Sequence, residues 1–268
     1  MGEPMETITG AIYGPTKIGK SWLGGNVVKE LDGTVLDFAR STRIGTPPNT
    51  KNAPTPIYSL ETEGIKNVGD AYQAVVKTVG VDFNTQYKYV RTWEEFLSSV
   101  DMIKFYRDNI SKKQNKHIWV VIDDVTNWRS QALAWVLERT GHSSPSQADW
   151  TMLGSALNAA LDRLEENFNV LFICQSKAEY IDDKETGNLV PDFYPKNLEF
   201  SVAFTVNYTV EVDPKTNEAI APIAKIDSLR NKWRFGKKSY TKEIKFDDLD
   251  NIKFTEILKV MNFDDNLW

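Results

Sequence analysis

Cysteine and histidine are scarce in this sequence. Its 268 residues include one cysteine, Cys174, and two histidines. A single cysteine excludes a disulfide within the chain and is typical of proteins in a reducing compartment. Structural zinc takes four ligands, mostly Cys and His. The sequence has too few of these side chains for a zinc cage made of Cys and His.

Long apolar runs are also missing. No stretch of about 18 apolar residues occurs anywhere, so we expect no membrane-spanning helix. The first ten residues, MGEPMETITG, lack the basic start and the apolar core of a secretory signal. We therefore expect a cytoplasmic protein that does not act at a membrane.

Charge is present in ordinary amount but is unevenly distributed. Charged residues make up 26% of the chain and hydrophobic residues 41%, as in a typical globular protein, and the length suits one large domain. The formal net charge is −5, yet residues 225–245 alone carry +6, which leaves −11 for the remainder. This asymmetry favours an anionic partner for one region of the surface.

Strand and helix patterns alternate through the first two thirds of the sequence. Residues 117–124 and 169–176 are apolar without alternation, as in parallel strands that are covered on both faces. The alternation predicts an α/β fold with a mainly parallel central sheet. The predicted strands are 8–14, 34–39, 117–124 and 169–176, and residues 57–61 could form a further short strand. The predicted helices are 19–31, 67–78, 92–110, 128–139 and 150–167. We expect Asp149 to cap the last of these helices.

The pattern changes after Lys177. Residues 178–197 read as a long loop, with room for a small hairpin around Thr186-Gly187. Residues 201–212 and 219–227 predict an antiparallel hairpin, and 246–261 predict an amphipathic terminal helix. We divide the chain into a core, 1–245, and a C-terminal helix with an acidic tail, 246–268.

The segment from Gly14 to Ser21, GPTKIGKS, matches the phosphate-loop pattern G-x-x-x-x-G-K-[ST]. Its glycines let backbone N–H groups surround phosphates, Lys20 reaches the β- and γ-phosphates, and the Ser21 hydroxyl binds Mg²⁺. A strand precedes the loop and a helix follows it, as the motif requires. The predicted ligand is ATP with Mg²⁺, bound by Gly14, Pro15, Thr16, Lys17, Ile18, Gly19, Lys20, Ser21 and Trp22.

Acidic and amide side chains end the later strands. Asp123 ends a buried strand, and we predict that it holds Mg²⁺ through a water molecule. Asp124 follows directly and is our candidate for orienting the attacking water, although it could equally be a helix cap. Gln175, at the end of the next apolar strand, is placed to sense the γ-phosphate. Rival acids for Asp124 are Asp37, Glu61 and Glu63.

These features together resemble the RecA-like P-loop ATPases, in particular the single-domain ATPases of phages and archaeal viruses that accompany single-strand annealing and recombination. The segments that carry the resemblance are AIYGPTKIGKSWL, IWVVIDDVTNW, DWTMLGSALNAALDRL and NVLFICQSK, within residues 8–240. The resemblance implies a parallel core sheet, Gln175 as sensor, a DNA-contacting loop at 178–197 and, for a virus, the host cytoplasm. The family's glutamate after the phosphate-loop helix is missing, since that strand reads TVLDFARST.

The basic region interleaves cations with aromatic rings, which suits single-stranded nucleic acid. Its members are Arg230, Lys232, Trp233, Arg234, Phe235, Lys237, Lys238 and Tyr240. Alternatively, one cation is an arginine finger for a neighbouring subunit, or the region is a solvated strand pair. The acidic segment YIDDKE (180–185) argues against DNA contact by the preceding loop. The tail 263–268 could dock into a basic pocket of a partner protein or fray.

The sequence thus predicts a Mg²⁺-dependent ATPase, homo-oligomeric, that acts on DNA in replication, recombination or packaging. The alternatives are a nucleotide-gated assembly protein with little turnover and a kinase of a nucleotide or small molecule.

Overall fold

The computed structural model describes residues 7–16, 18–31, 33–38, 87–109, 118–193, 198–215, 219–229, 242–246 and 253–261. Within them the chain forms a mixed α/β fold with one large sheet. The strands are β1 Thr9–Gly14, β2 Gly33–Asp37, β3 Tyr87–Tyr89, β4 Trp119–Asp123, β5 Asn169–Ile181, β6 Lys184–Pro191, β7 Phe204–Val212, β8 Ala219–Leu229 and β9 Lys242–Lys245. The helices are α1 Lys20–Glu30, α2 Trp93–Asn109, α3 Val125–Thr140, α4 Gln147–Glu165, α5 Leu198–Ser201 and α6 Phe254–Val260.

The strand order is β3-β2-β4-β5-β1-β7-β8-β9, and β6 pairs with β5 outside this path. Neighbouring strands from β3 to β7 are parallel. The pairs β7–β8, β8–β9 and β5–β6 are antiparallel. The predicted fold class, a mainly parallel sheet followed by an antiparallel hairpin and a terminal helix, is confirmed.

Two apolar cores lie against this sheet, one on each face. Alternate residues of β1 show the division, because Ala11 and Tyr13 belong to the first core and Ile12 to the second. Helices α2, α3 and α4 contribute to the first core, and α1 and α6 to the second. Every residue of β4 is buried, as its unbroken apolar sequence predicted.

The segment after Gln175 differs from its prediction as a loop. β5 continues to Ile181 and turns back into β6 through Asp182 and Asp183, whose φ angles are 50° and 61°. Two consecutive residues with positive φ form the turn that suits a two-residue hairpin. The predicted turn at Thr186-Gly187 is therefore wrong, because Gly187 lies within β6 beside an irregularity in the β5–β6 register.

Two smaller differences concern a short strand and the start of another. The strand Tyr87–Tyr89 was not predicted, since three residues are too short to show a period. The strand predicted at 201–212 begins at Phe204, after the short helix α5. The predictions for residues 41–56, 57–61 and 67–78 fall outside the described residues.

Helix α4 begins at Gln147, with Ser146 as its N-cap, so the prediction that Asp149 caps it is wrong. Asp149 is instead the third helical residue and completes a capping box. Its backbone N–H donates to Ser146 Oγ, while its carboxylate accepts from the Ser146 N–H at 2.7 Å. The same carboxylate contacts His142 Nδ1 at 2.8 Å. The hydrogen bonds from Ser146 hold the pKa of Asp149 well below its usual range.

We expect Asp149→Asn to lower the free energy of unfolding at pH 7. Because the folded pKa is depressed, the carboxylate stabilises the fold above its unfolded pKa of 3.8. That contribution is lost as the pH falls further, toward the folded pKa. Urea unfolding from pH 7 to pH 3 should show the two proteins converging below about pH 4. An equal gap at every pH would contradict this account, and a His142→Asn background isolates the contribution of Ser146.

The terminal helix α6 packs on the helix that follows the phosphate loop. The Glu30 carboxylate, at the end of α1, accepts hydrogen bonds from the Phe254 and Thr255 N–H groups at 2.8 and 3.0 Å. Phe254, Ile257 and Leu258 are buried in the second core. The terminal helix is thus confirmed over part of the predicted range. The division of the chain at residue 245 stays a prediction.

In the described part of the chain, no helix has both the length and the apolar character needed to cross a membrane.

Candidate nucleotide-binding site

The predicted site residues meet at the carboxyl edge of the parallel strands. Asp37 and Asp123 end β2 and β4 and are paired across these neighbouring strands. Gly14 and Gln175 are paired in the same way between β1 and β5. Since β5 lies between β4 and β1, Gln175 stands between the phosphate loop and Asp123.

The phosphate loop connects β1 to α1 and starts at a position that only glycine fits. A Cβ atom on Gly14 would lie 2.2 Å from the Tyr208 carbonyl oxygen and 2.9 Å from Ile18 Cδ1. Gly19, just before the helix, has a left-handed φ of 96°. Each glycine of the motif is therefore required for a different steric reason. At Gly14 the reason is close contact with β7, which lies far along the chain, and at Gly19 it is the left-handed backbone.

The N-terminus of α1 has no side-chain cap and no acid in its first turn. Asp124 and Ser146, in contrast, cap α3 and α4 with side-chain oxygens. The first N–H groups of a helix need acceptors and carry a partial positive charge. An uncapped helix that begins directly after a phosphate-loop sequence suits a bound phosphate.

The Lys20 side chain lies over the loop that precedes it. Its exposed fraction is 8%, and Nζ donates hydrogen bonds to the carbonyl oxygens of Gly14 and Pro15, at 2.8 Å to the first. Burial lowers the pKa of Lys20, while the nearby carboxylates of Asp123 and Asp124 oppose this shift. The ammonium group thus contacts the loop backbone and is stabilised by the charge of the acidic strand end.

The other loop residues differ in exposure. Pro15 and Thr16 are exposed, and Ser21 is half-buried in the first turn of α1. Ile18 packs against the second core. Lys17 and the side chain of Trp22 lie outside the described residues.

The hard oxygen ligands that Mg²⁺ prefers are available here. Ser21 offers a hydroxyl, and the Asp123 carboxylate, 1% exposed, acts electrostatically on Lys20. Asp37, on the neighbouring strand, is completely buried. The residues present therefore fit a Mg²⁺–triphosphate, which the Ser21 hydroxyl would bind directly and the Asp123 carboxylate through a water molecule.

Asp124 is the N-cap of α3, which is one of the two roles open to it from the sequence. Its Oδ1 accepts the Asn127 N–H at 2.8 Å, and both carboxylate oxygens accept from Asn127 Nδ2 at 3.1 and 3.2 Å. The peptide bond between Asp123 and Asp124 is cis. Orientation of the attacking water by Asp124 stays a prediction.

One acid near the site was missed by sequence reasoning. The backbone of Asp192 donates to the Gln175 carbonyl oxygen at 2.8 Å, and its carboxylate pairs with Lys177 at 3.0 Å. Burial raises the pKa of the Cys174 thiol, and Asp124 and Asp192 raise it further, whereas Lys20 lowers it. No local pattern marks Asp192, because the β5–β6 hairpin returns it to the sheet.

The basic region and the tail give no site geometry. Residues 230–241 and 262–268 lie outside the described residues, whereas 225–229 and 242–245 belong to β8 and β9. The roles proposed for these residues therefore stay predictions.

A mainly parallel sheet with a phosphate loop between its first strand and first helix defines a P-loop nucleotide-binding domain. The chain belongs to the AAA domain family, whose model matches residues 6–220. This assignment makes it a P-loop ATPase-type domain.

Two solved structures are similar at 13% identity. One is a prototypical ATPase from the type III secretion system of pathogenic bacteria, with a TM-score of 0.40 over 78% of this chain and 51% of that chain. The other is the assembled ATPase EscN from the type III secretion system of enteropathogenic E. coli, with a TM-score of 0.39 over 76% and 43%. The chain thus spans about half the length of these proteins. No curated protein sequence matches it.

Proposed function

We propose that the protein binds ATP with Mg²⁺ and hydrolyses it. The observation that carries this proposal is the uncapped N-terminus of α1 behind the glycine-bounded loop, with the Lys20 ammonium held above it. Among the described helices that begin next to the site, α3 has its own side-chain cap and α1 has none. A triphosphate supplies the acceptors that α1 lacks.

Each side chain has a distinct task in this proposal. Lys20 exchanges its carbonyl partners for oxygens of the β- and γ-phosphates, and Ser21 and Asp123 hold Mg²⁺, Asp123 through a water molecule. When bound, Mg²⁺ neutralises charge on the phosphates. Gln175 contacts the γ-phosphate from the strand between β1 and β4. Hydrolysis then depends mainly on positioning and charge stabilisation.

Two acids of the described residues are candidates for orienting the attacking water. Asp124 is adjacent to the site, but its carboxylate already accepts from the N-terminus of α3 and from Asn127. Asp37 is buried beside Asp123 at the end of the neighbouring strand. Substitution of each acid by asparagine decides between them.

We further propose that the ATPase is a homo-oligomer that acts on DNA, with single-stranded DNA favoured, in replication, recombination or packaging in a phage or virus. The support is the basic, aromatic-rich sequence of residues 225–245, which suits backbone attraction and base stacking. The acidic tail is a candidate contact for a partner protein.

A nucleotide-gated assembly protein with little turnover is the second candidate. Its support is that the strand after the phosphate-loop helix ends in Asp37, where the family that the sequence resembles carries glutamate. A kinase remains a third candidate and would be recognised by a phosphorylated small-molecule product.

The test is an ATPase assay with and without a panel of nucleic acids. We expect Mg²⁺-dependent phosphate release that single-stranded DNA increases, and a DNA mobility shift that depends on nucleotide. ATP binding without turnover on any nucleic acid would favour the assembly protein. Turnover with neither stimulation nor a mobility shift would contradict the proposed DNA role and leave the ATPase proposal standing.

A further inference from the structure

The β5–β6 hairpin extends past the carboxyl edge of the parallel strands, where the nucleotide site lies. β5 pairs with β1 up to Gln175, and from Ser176 its only partner in the described residues is β6. We call residues 176–191 the arm. The arm therefore continues the direction of β5 beyond the main sheet.

Several contacts hold the arm in one conformation. The Glu179 carboxylate accepts from Thr186 Oγ1 at 2.7 Å and from Asn188 Nδ2 at 3.0 Å across the two strands. At the base, the Tyr13 hydroxyl donates to the Leu189 carbonyl oxygen at 3.2 Å. A preformed element loses little conformational entropy when it binds, so the arm is suited to docking.

The tip of the arm is both apolar and acidic. Tyr180 is 63% exposed and Ile181 58% exposed, directly before the turn at Asp182 and Asp183. Residues 179–185 contain four acids and one lysine, a net charge of −3. Exposed apolar side chains of this kind mark an interaction surface, whereas clustered carboxylates repel a phosphate backbone. The arm therefore suits a partner that is cationic and aromatic, and nucleic acid is a poor partner for it.

The sequence between β8 and β9, residues 230–241, has this chemistry. It contains no acid, and its cations and aromatic rings are Arg230, Lys232, Trp233, Arg234, Phe235, Lys237, Lys238 and Tyr240. The flanking acids Asp227 and Glu243 do not cancel this charge, since residues 227–243 hold six cations and two acids, a net charge of +4. The charges of the arm and of residues 230–241 are thus complementary.

Both ends of residues 230–241 are joined to strands far from the tip of the arm. Leu229 pairs with Phe204, and Phe204 pairs with Gly10, near the start of β1. Gly10 also pairs with Leu171, and Ile181 follows ten residues later on the same strand, about 33 Å away. A segment of 12 residues that is fixed at both ends reaches about 20 Å at most. Residues 230–241 therefore cannot reach the tip of the arm in their own chain.

We propose that the arm of one copy docks on residues 230–241 of a second copy. The acids of the arm pair with the cations of this segment, while Tyr180 and Ile181 pack on its aromatic rings. Each contact joins two different patches of the chain, so repetition builds a ring or a filament. The contact specifies the proposed homo-oligomer, on which it rests, and requires neither ATP binding nor hydrolysis.

Charge reversal on each side tests this pairing. The arm variant is Asp182→Lys/Asp183→Lys, and the segment variant is Arg234→Glu/Lys237→Glu. We expect each variant alone to self-associate at least about tenfold more weakly than the unaltered chain, since like charges then meet at every contact. An equimolar mixture should recover assembly, because each reversed arm can meet a reversed segment and each original arm an original segment. Sedimentation velocity of the full chain over a concentration series, without nucleotide or nucleic acid, measures both.

Two further variants separate the contact from strain in the turn and from a general effect of charge. Asp182→Asn/Asp183→Gly removes the charges but keeps residues that favour this turn, and it should weaken self-association without lowering the Tm. Glu138→Lys/Asp162→Lys, at exposed positions of α3 and α4, changes the net charge as much as the arm variant does. This matched control should self-associate like the unaltered chain.

The proposed ATP site is tested separately in the same variants. Each should bind ATP like the unaltered chain, because none of the substituted residues belongs to the phosphate loop. Loss of ATP binding would therefore concern the proposed site and not the arm. An unaltered chain that assembles through the arm but neither hydrolyses ATP nor binds DNA would contradict the proposed function and leave the contact standing.

Any of three results would overturn the proposal. The first is an unaltered chain that stays monomeric at all concentrations. The second is unaltered self-association of either charge-reversal variant, or a mixture of the two that does not recover assembly. In the third, the arm variants lose binding to single-stranded DNA while self-association persists, which would make the arm a nucleic-acid contact.

Discussion

Replacing Lys20 by alanine is expected to weaken ATP binding by about 100-fold or more. The Lys20 ammonium already lies over the loop, within hydrogen-bond distance of the Gly14 carbonyl oxygen. A hydrogen bond to a charged group contributes about 1.5–3 kcal/mol, so loss of contacts to two phosphates removes at least about 3 kcal/mol. That change in free energy corresponds to about two orders of magnitude in Kd.

Isothermal titration with ATP measures this effect directly. Lys104→Ala, on the exposed side of α2, is the matched control and should bind like the unaltered chain. The Tm of each variant separates a lost contact from a lost fold, since Lys20 is buried in the structure. Unchanged affinity in a folded Lys20→Ala variant would overturn the assignment of the nucleotide site.

The second large effect is expected for Asp123→Asn, which should reduce Mg²⁺-dependent hydrolysis by about 100-fold or more. A bound metal contributes several kcal/mol of charge stabilisation in the transition state, and the substitution removes the buried carboxylate that would hold it through a water molecule. Asparagine has nearly the same shape, so the packing at the end of β4 should be retained. ATP binding measured without Mg²⁺ should stay close to that of the unaltered chain.

Asp124→Asn is an informative control for the Asp123→Asn variant. Asparagine is as good an N-cap as aspartate, so α3 should keep its stability. If Asp124 orients the attacking water, this variant loses turnover with an unchanged Tm. If Asp37 does so, the loss appears in Asp37→Asn instead. A Mg²⁺ dependence in Asp123→Asn equal to that of the unaltered chain would show that another residue holds the metal.

The described parts of the phosphate loop and its flanking elements were predictable because their signals are local. Glycine spacing, a short apolar strand and the following helix all fall within a few turns of chain, and β1 and α1 lie where these patterns placed them. The same holds for β4, whose unbroken apolar run matches burial of all its residues. Local patterns were less reliable at element ends, as the cap of α4 at Ser146 shows.

The hairpin turn illustrates why some local structure escapes prediction. Asp182-Asp183 lacks the glycine that usually marks a turn with positive φ, whereas Thr186-Gly187 has one. Pairing of the two strands, held by the Glu179 hydrogen bonds, decided the turn. Cross-strand contacts therefore outweighed the preference of single residues.

The sequence by itself determined the phosphate-loop motif, the buried acid-tipped strand and the alternation of strands and helices. Tertiary structure alone decided the insertion of β5 between β1 and β4, the pairing of Asp37 with Asp123 and the contact that excludes a side chain at Gly14. It also decided the capping role of Asp124 and the exposure of the β5–β6 hairpin. The physical reason is range: motifs and periods follow from neighbouring residues, whereas strand order and contacts between distant segments follow from how the whole core packs.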